Sequence, residues 1–231
     1  MNSIENAKGK IREVIAASKV PEDPGHADNT LAWLFKLDPK TDPAMQIAAL
    51  AHDIDRAIEE RKVHRSDFDD YDVFKAEHAQ NGAKILWEVL DDCQVPQPIA
   101  DEACRLVTLH EVGGDPRSDL LKDADSISYF DVNMPLYFQR EGWDETKRRC
   151  VWGYRRLSSR QKEIVKGITY ENQTLTRLLN EAIGQSGGKE VFTGLNYTER
   201  EALIEEMYKI SYKPEDIIFK EGDDPTACYL I

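Results

Sequence analysis

The sequence predicts a mainly α-helical protein, a helical bundle that ends in a short C-terminal α+β piece. Apolar residues recur at the spacing of amphipathic helices from the N-terminus to about Ile183. The alternation that is typical of strands first occurs in YKPEDIIFKEGDDPTACYLI, which begins at Tyr212. The chain has 231 residues, of which 41% are apolar, and this is enough to fill a substantial core.

Short turn sequences divide the helical part into segments. PEDPG, DPKTDP and EVGGDP each carry the prolines, glycines or aspartates that end one helix and begin the next. The predicted helices are 4–18, 26–37, 44–58, 71–90, 96–110, 118–131 and 145–183. The last of these is long enough to be two helices that meet near Ser158. We expect the polar residues 59–70 to form an exposed loop.

A change in composition near residue 185 predicts a domain boundary. Residues 185–189 read QSGGK, and small, polar residues of this kind are typical of a linker. We therefore expect a helical domain over 1–184 and a separate unit over 190–231. In the second unit a short helix over 197–209 precedes the strand-like residues.

Composition excludes several classes of protein. The chain has 30 Lys and Arg against 43 Asp and Glu, a formal charge of −13, which argues against a nucleic-acid-binding surface or an anionic-membrane anchor. The sequence has neither a signal-peptide pattern nor a membrane span. Its four cysteines form no CxxC pair and are expected to be reduced thiols. These features predict a soluble, cytoplasmic protein, in which a metal or a local basic pocket would hold any anionic substrate.

The pair His52-Asp53 is the most informative feature. It lies near the end of AMQIAALAHDIDRAI, where nearly every side chain is apolar or small, so the predicted helix 44–58 should be buried around most of its circumference. A histidine and a carboxylate inside such a helix are costly unless an ion pair, a hydrogen-bond network or a metal ion compensates them.

Further histidines and an aspartate favour the metal. His26, His78 and His110 each lie at a predicted helix end or on a helix face with apolar neighbours, and Asp125 lies in LLKDADSISYF. Each residue alone is more often an ordinary core or capping residue than a ligand. Imidazoles and carboxylates from several helices, however, are what a bundle needs to hold divalent ions. His64, in the charged stretch ERKVHRSDFDD, is expected to be solvated.

In their order and setting these residues resemble the HD superfamily of metal-dependent phosphohydrolases. The resemblance covers about residues 20–135 and predicts an HD-type helical bundle. His26, His52, Asp53 and Asp125 match the four ligands of that superfamily, and ALAHDID and LLKDADSI match the surrounding segments. Asp123 also lies in the second segment, but Asp125 matches the ligand position. His78 and His110 resemble the two additional histidines of binuclear members; the GYP signature of the cyclic dinucleotide phosphodiesterases is absent.

The resemblance implies one or two divalent ions per chain, Mn, Fe, Ni, Co, Zn or Mg. Asp53 would bridge the two ions, with His26, His52 and Asp125 around the first and His78 and His110 around the second. In the alternative arrangement a single ion is bound, and His78 and His110 contact the substrate phosphate.

Four further residues are candidates for the chemistry around the ions. Arg56 follows the HD pair by one turn, Lys75 precedes His78 by one turn, and Lys122 lies near Asp125; each could neutralise phosphate oxygens or be an ordinary solvated cation. Glu111, directly after His110, is a candidate proton acceptor or a support for that histidine.

Residues 190–231 resemble the opening of a cyclic-nucleotide-binding domain. Phe192 and Leu195 precede a short helix, then YKPEDIIFKEGD follows, although Glu215 and Asp216 replace the usual Gly and Glu. A β-hairpin or swapped arm is the alternative. The glycine-rich phosphate cassette is absent, so we expect no cyclic-nucleotide binding by this chain, which would be a fragment or a truncated relative. An unfinished strand edge also makes a homodimer through this segment plausible.

The sequence thus predicts an enzyme, a metal-dependent phosphohydrolase that acts on a small nucleotide-like phosphate ester. An HD-type di-iron oxygenase uses a similar set of ligands and is the first alternative. The second alternative is a non-catalytic signalling or binding module in which the metal only holds the bundle together.

Overall fold

The structure is a computed structural model that describes residues 2–186. The C-terminal α+β piece, the cyclic-nucleotide-binding-like segment 190–231 and the dimer contact predicted there lie outside the described residues. The described part is mainly α-helical, as predicted, and contains no strand. Its last helix reaches Ser186, so the first two residues of the predicted linker are helical.

Nine α-helices make up the described part of the chain. They are α1 (Ser3–Ala16), α2 (Asp23–Leu37), α3 (Pro43–Ala51), α4 (Tyr71–Asp92), α5 (Gln97–Leu109), α6 (Pro116–Ser128), α7 (Met134–Arg156), α8 (Ser159–Lys166) and α9 (Gln173–Ser186). A 3₁₀ turn, Ile54–Ala57, follows α3, and another, Arg65–Asp67, lies in the polar segment before α4. A short π-helix, Tyr129–Asn133, joins α6 to α7.

The turn sequences begin helices through their aspartates and prolines. The side chain of Asp42 accepts a hydrogen bond from the Met45 amide at the start of α3, with Pro43 in the first turn. Asp115 caps α6 in the same way, and Ser118 completes a reciprocal capping box. These caps set where the helices that carry the candidate site begin.

The helix that carries the HD pair is shorter than predicted. It ends at Ala51, and the prediction of helix as far as Ile58 is wrong. His52 turns its side chain back so that Nδ1 lies 2.9 Å from the Ala49 carbonyl oxygen, and Asp53 leaves the helical region with φ −105° and ψ 19°. The apolar pattern continues past this point because Ile54 in the following 3₁₀ turn is also buried, so periodicity alone does not mark the end.

The C-terminal helices also differ from the prediction. Helix α7 begins at Met134, is kinked at Gly142 (φ 78°) and ends before Ser158, the boundary that the sequence indicated. The side chain of Ser158 accepts a hydrogen bond from the Gln161 amide and begins α8. A second break, between α8 and α9, was not predicted, and it gives three helices where one or two were expected.

Helices α2, α3 and α6 meet around three of the predicted ligands, His26, His52 and Asp125. As predicted, α3 is almost fully buried; it packs against α1, α2, α5 and α6. A second apolar cluster joins the end of α6 to α7, α8 and α9, and Trp33 and Leu37 of α2 contact both clusters. Within residues 2–186, no helix has the length and apolar character that crossing a membrane requires.

Candidate metal centre

Three predicted ligands from three helices form a buried cluster, the first trio. His26 on α2, His52 at the end of α3 and Asp125 on α6 each offer one ligand atom, and these atoms lie within 4.8 Å of one another. His26 Nε2 lies 3.0 Å from Asp125 Oδ1 and 3.2 Å from His52 Nε2. The side chains come together although nearly a hundred residues separate the first from the last.

The remaining predicted ligands form the second trio. Asp53, His78 on α4 and His110 at the end of α5 also offer ligand atoms within 4.8 Å of one another. His78 Nε2 lies 2.9 Å from Asp53 Oδ1. The rings of His52 and His110 approach with their centroids 5.4 Å apart, so the two trios adjoin.

Asp53 stands between the two trios. Its Oδ1 atom faces His78, whereas its Oδ2 atom lies 3.7 Å from His52 Nε2 and 4.0 Å from His26 Nε2. A carboxylate that offers one oxygen to each side is suited to bridging two ions. The end of α3 at Ala51 makes this possible, because the turn at Asp53 points its side chain to the same site as that of His52.

Main-chain carbonyls orient the two histidines at helix ends. His52 Nδ1 lies 2.9 Å from the Ala49 oxygen, and His110 Nδ1 lies 2.6 Å from the Val107 oxygen. Because a carbonyl only accepts, each Nδ1 carries the proton and each Nε2 presents a lone pair to the site. His110 Nε2 is buried and has no hydrogen-bond partner among the described residues.

Side chains orient the other two histidines. The Ser128 hydroxyl donates to the His26 carbonyl at 3.3 Å, and its oxygen accepts from His26 Nδ1 at 2.9 Å. His78 Nδ1 lies 2.7 Å from Asp55 Oδ1. Metal-binding histidines commonly bind a carboxylate or carbonyl through their other nitrogen. Three of the four histidines follow that pattern, whereas His26 uses the Ser128 hydroxyl.

The donor set therefore fits divalent ions. In the first trio His26 Nε2 lies 3.2 Å from His52 Nε2 and 3.0 Å from Asp125 Oδ1, so two imidazole nitrogens and a carboxylate oxygen converge where one divalent ion could bind. Imidazole nitrogens with carboxylate oxygens suit Mn, Fe, Co, Ni or Zn better than Ca.

Burial and charge set the protonation of the two trios. Burial lowers the pKa of His52 to about 4, so this imidazole is neutral at pH 7. Burial also opposes the charged form of His78, but contacts with Asp53 and Asp55 outweigh it and raise its pKa to about 9. Burial alone would raise the pKa of Asp53; Arg56 and the neighbouring histidines instead hold it well below its usual range. For Asp125, the contact with His26 likewise overcomes burial and lowers the pKa.

Carboxylates already engage Arg56 and Lys75, two of the three cations predicted to contact substrate. Arg56 Nη1 lies 2.7 Å from Asp53 Oδ2, and Arg56 Nη2 lies 2.9 Å from Oδ1 of the buried Asp23. Lys75 forms a close ion pair with Glu111. In this geometry both cations hold acidic side chains at the edge of the site, and their charge is largely compensated.

Glu111 is buried among cations. Its carboxylate contacts Lys75, lies 3.1 Å from Arg156 Nη2 and places Oε1 3.1 Å from His110 Nε2, although no hydrogen bond forms there. Burial by itself would raise the pKa of Glu111, but Lys75 and Arg156 outweigh it and hold the pKa well below its usual range. Because Lys75 and Arg156 engage both oxygens of Glu111, its geometry favours holding this end of the site in place over accepting a proton.

Three residues that were not predicted as ligands lie outside both trios: His64, Asp123 and Lys122. His64 is exposed, as expected. Asp123 is buried but accepts a hydrogen bond from the Ser158 amide at 3.4 Å. Lys122 pairs with Asp119, Nζ to Oδ1 3.0 Å, so its charge is also engaged.

Two residues of the site were missed by sequence reasoning. The sequence predicts Asp55 as part of a continuous buried helix, and Ser128 belongs to no recognisable motif. The signal for Asp55 was the second aspartate of HDID, two residues after Asp53. No local pattern marks Ser128, because its contact with His26 spans 102 residues.

Comparison with known proteins gives a family and no function. No curated protein and no solved structure matches the chain. The sequence profile of a domain of unknown function, DUF4202, matches residues 3–178, which include all six predicted ligands and most of the described helices. The chain therefore belongs to the DUF4202 family.

Proposed function

We propose that this protein is a binuclear metal-dependent phosphohydrolase that acts on a small nucleotide-like phosphate ester. The observation that carries the proposal is the position of Asp53, with one oxygen toward His78 and the other toward His26 and His52. The resemblance of the six ligands to those of HD-type phosphohydrolases supplies the type of reaction.

Divalent ions held by the two trios would polarise the phosphoryl oxygens of a bound ester and lower the pKa of an attacking water. The chain's own residues hold this arrangement rigid. Arg56 fixes the orientation of Asp53, Asp55 fixes that of His78, and Ser128 fixes that of His26. A site supported in this way is already organised before substrate arrives.

The test begins with elemental analysis of tag-free protein after incubation with Mn, Fe, Co, Ni or Zn. We expect about two ions per chain in the wild type and fewer than one in Asp53→Ala, with helical content unchanged by circular dichroism. His64→Ala is the matched control, since that imidazole is exposed and outside both trios. Absence of bound metal under every condition would overturn the proposal.

Activity is then measured on p-nitrophenyl phosphate, bis-(p-nitrophenyl) phosphate and a panel of nucleotides. Hydrolysis that Asp53→Ala abolishes and His64→Ala retains would support the proposal. Bound iron whose absorbance changes on reduction, without hydrolysis, would instead favour the oxygenase. Tightly bound metal with neither reaction would favour the non-catalytic module.

A further inference from the structure

Arg149 on α7 was not singled out by the sequence, and its guanidinium lies among aromatic rings. Its Cζ atom is 4.6 Å from the centroid of the Tyr129 ring and 4.3 Å from that of the Trp152 ring. The side chain is partly exposed. Rings on two sides hold a guanidinium in place by cation–π attraction and leave its five N–H donors for a ligand.

Within residues 2–186, no carboxylate forms an ion pair with Arg149, in contrast to the cations described above. Arg56 is held by Asp23 and Asp53, and Lys75 by Glu111. Those acids compensate the charges beside them, whereas the rings around Arg149 orient its charge without neutralising it.

Both rings belong to residues that neighbour residues of the candidate site. Tyr129 directly follows Ser128, the residue that orients His26. The Trp152 ring also contacts Arg156, whose Cζ atom is 4.2 Å from the ring centroid. Nη2 of Arg156 in turn pairs with Glu111.

Electrostatics agree with this placement. Burial lowers the pKa of Arg149, but neighbouring groups, among them Tyr71, Tyr129, Asp125 and Glu111, outweigh burial and raise it. The guanidinium therefore remains charged at every accessible pH.

We propose that Arg149 binds the phosphoryl group of the substrate at the metal centre. The inference rests on the proposed function and adds the residue that recognises the anion. A planar guanidinium can donate two parallel hydrogen bonds to phosphate oxygens, which an ammonium cannot do. The aromatic rings hold it in one orientation before the anion arrives, which reduces the entropy lost on binding.

The experiment is isothermal titration calorimetry of inorganic phosphate into metal-loaded, full-length protein, with metal content measured on each sample. The variants are Arg149→Gln and Arg149→Lys. Arg148→Gln is the matched control, because Arg148 is exposed on the same helix and contacts Glu145. We expect phosphate to bind about tenfold or more weakly to Arg149→Gln, with partial recovery in Arg149→Lys and no change in Arg148→Gln or in metal content. On p-nitrophenyl phosphate the KM of Arg149→Gln should rise more than its kcat falls.

Equal phosphate affinity in the wild type and Arg149→Gln, at equal metal content, would overturn this inference and leave the proposed function standing. A wild type that holds its metal but neither binds phosphate nor hydrolyses an ester would overturn the proposed function itself. If Arg149→Gln does not fold, the test uses Arg149→Lys. This variant keeps the positive charge but loses the two parallel N–H donors of the guanidinium, so wild-type phosphate affinity in it would contradict the inference.

Discussion

His78 Nδ1 lies 2.7 Å from Oδ1 of Asp55, a fully buried carboxylate that orients this member of the second trio. Asp55 lies in the 3₁₀ turn that directly follows the HD pair, so the same short segment supplies Asp53 and the group that orients its neighbour. Removal of such a supporting carboxylate weakens metal binding without removing a ligand.

Asp55→Asn should therefore weaken binding of the second ion by about 10- to 100-fold. Asparagine keeps an acceptor for His78 but loses the charge that makes this imidazole a better ligand. Competition with a chromophoric chelator measures the affinity. Asp69→Asn is the control, because Asp69 is an exposed aspartate in the segment before α4. Unchanged affinity in Asp55→Asn would mean that Asp55 only stabilises the fold.

His110→Gln should separate the two trios. His110 belongs to the second trio, and its Nε2 makes no hydrogen bond among the described residues, so the substitution removes a predicted ligand without breaking a hydrogen bond of that nitrogen. We expect about one ion per chain to remain, held by His26, His52 and Asp125. Elemental analysis of the dialysed variant gives the stoichiometry. Loss of both ions would show that the trios bind only together.

Arg56→Gln should lower the stability of the protein because it leaves the buried Asp23 without its cation. The pKa of Asp23 is already raised, chiefly by burial, even with Arg56 present. We expect a loss of about 2 kcal/mol in the free energy of unfolding, measured by urea denaturation of metal-free protein. The double variant Arg56→Gln, Asp23→Asn should regain part of this loss. If the double variant is instead less stable than Arg56→Gln alone, other groups stabilise Asp23.

The ion pair between Asp42 and Arg117, at the start of α3, should make the stability of the protein depend on pH. This pair lies away from the metal centre. A hydrogen bond from Arg117 is the main cause that lowers the pKa of Asp42 below its ordinary value of 3.8. A carboxylate whose folded-state pKa is depressed stabilises the protein above about pH 4, and this contribution is lost as the pH falls through the folded-state pKa.

Asp42→Ala should therefore lower the free energy of unfolding by about 1 kcal/mol at pH 7 and by less at pH 3. Urea denaturation at each pH measures the difference. Asp42→Asn keeps the helix cap and removes only the partly exposed ion pair, so it should cost about 0.5 kcal/mol or less. A cost that does not depend on pH would show that the cap alone matters.

The helices and the members of the two trios could be predicted from the sequence because their signals are local. Apolar spacing and turn residues locate α1, α2 and α4 to α6 and the start of α3 to within a few residues, and α3 is buried as its composition indicates. The pattern failed at the end of α3, where the chain tightens into a 3₁₀ turn while Ile54 stays buried. It failed again in the region of α7 to α9, where polar stretches carry weak periodicity.

The sequence by itself determined the residue types and spacing that make two adjacent His and Asp trios recognisable. Only the tertiary structure decided which cations remain free to meet an anion. Arg56 and Lys75, the predicted candidates, are held by Asp23 and Glu111, whereas Arg149 lies against aromatic rings. The physical reason is that ion pairs form between residues distant in the chain, so the charge that a side chain presents depends on what folding places beside it.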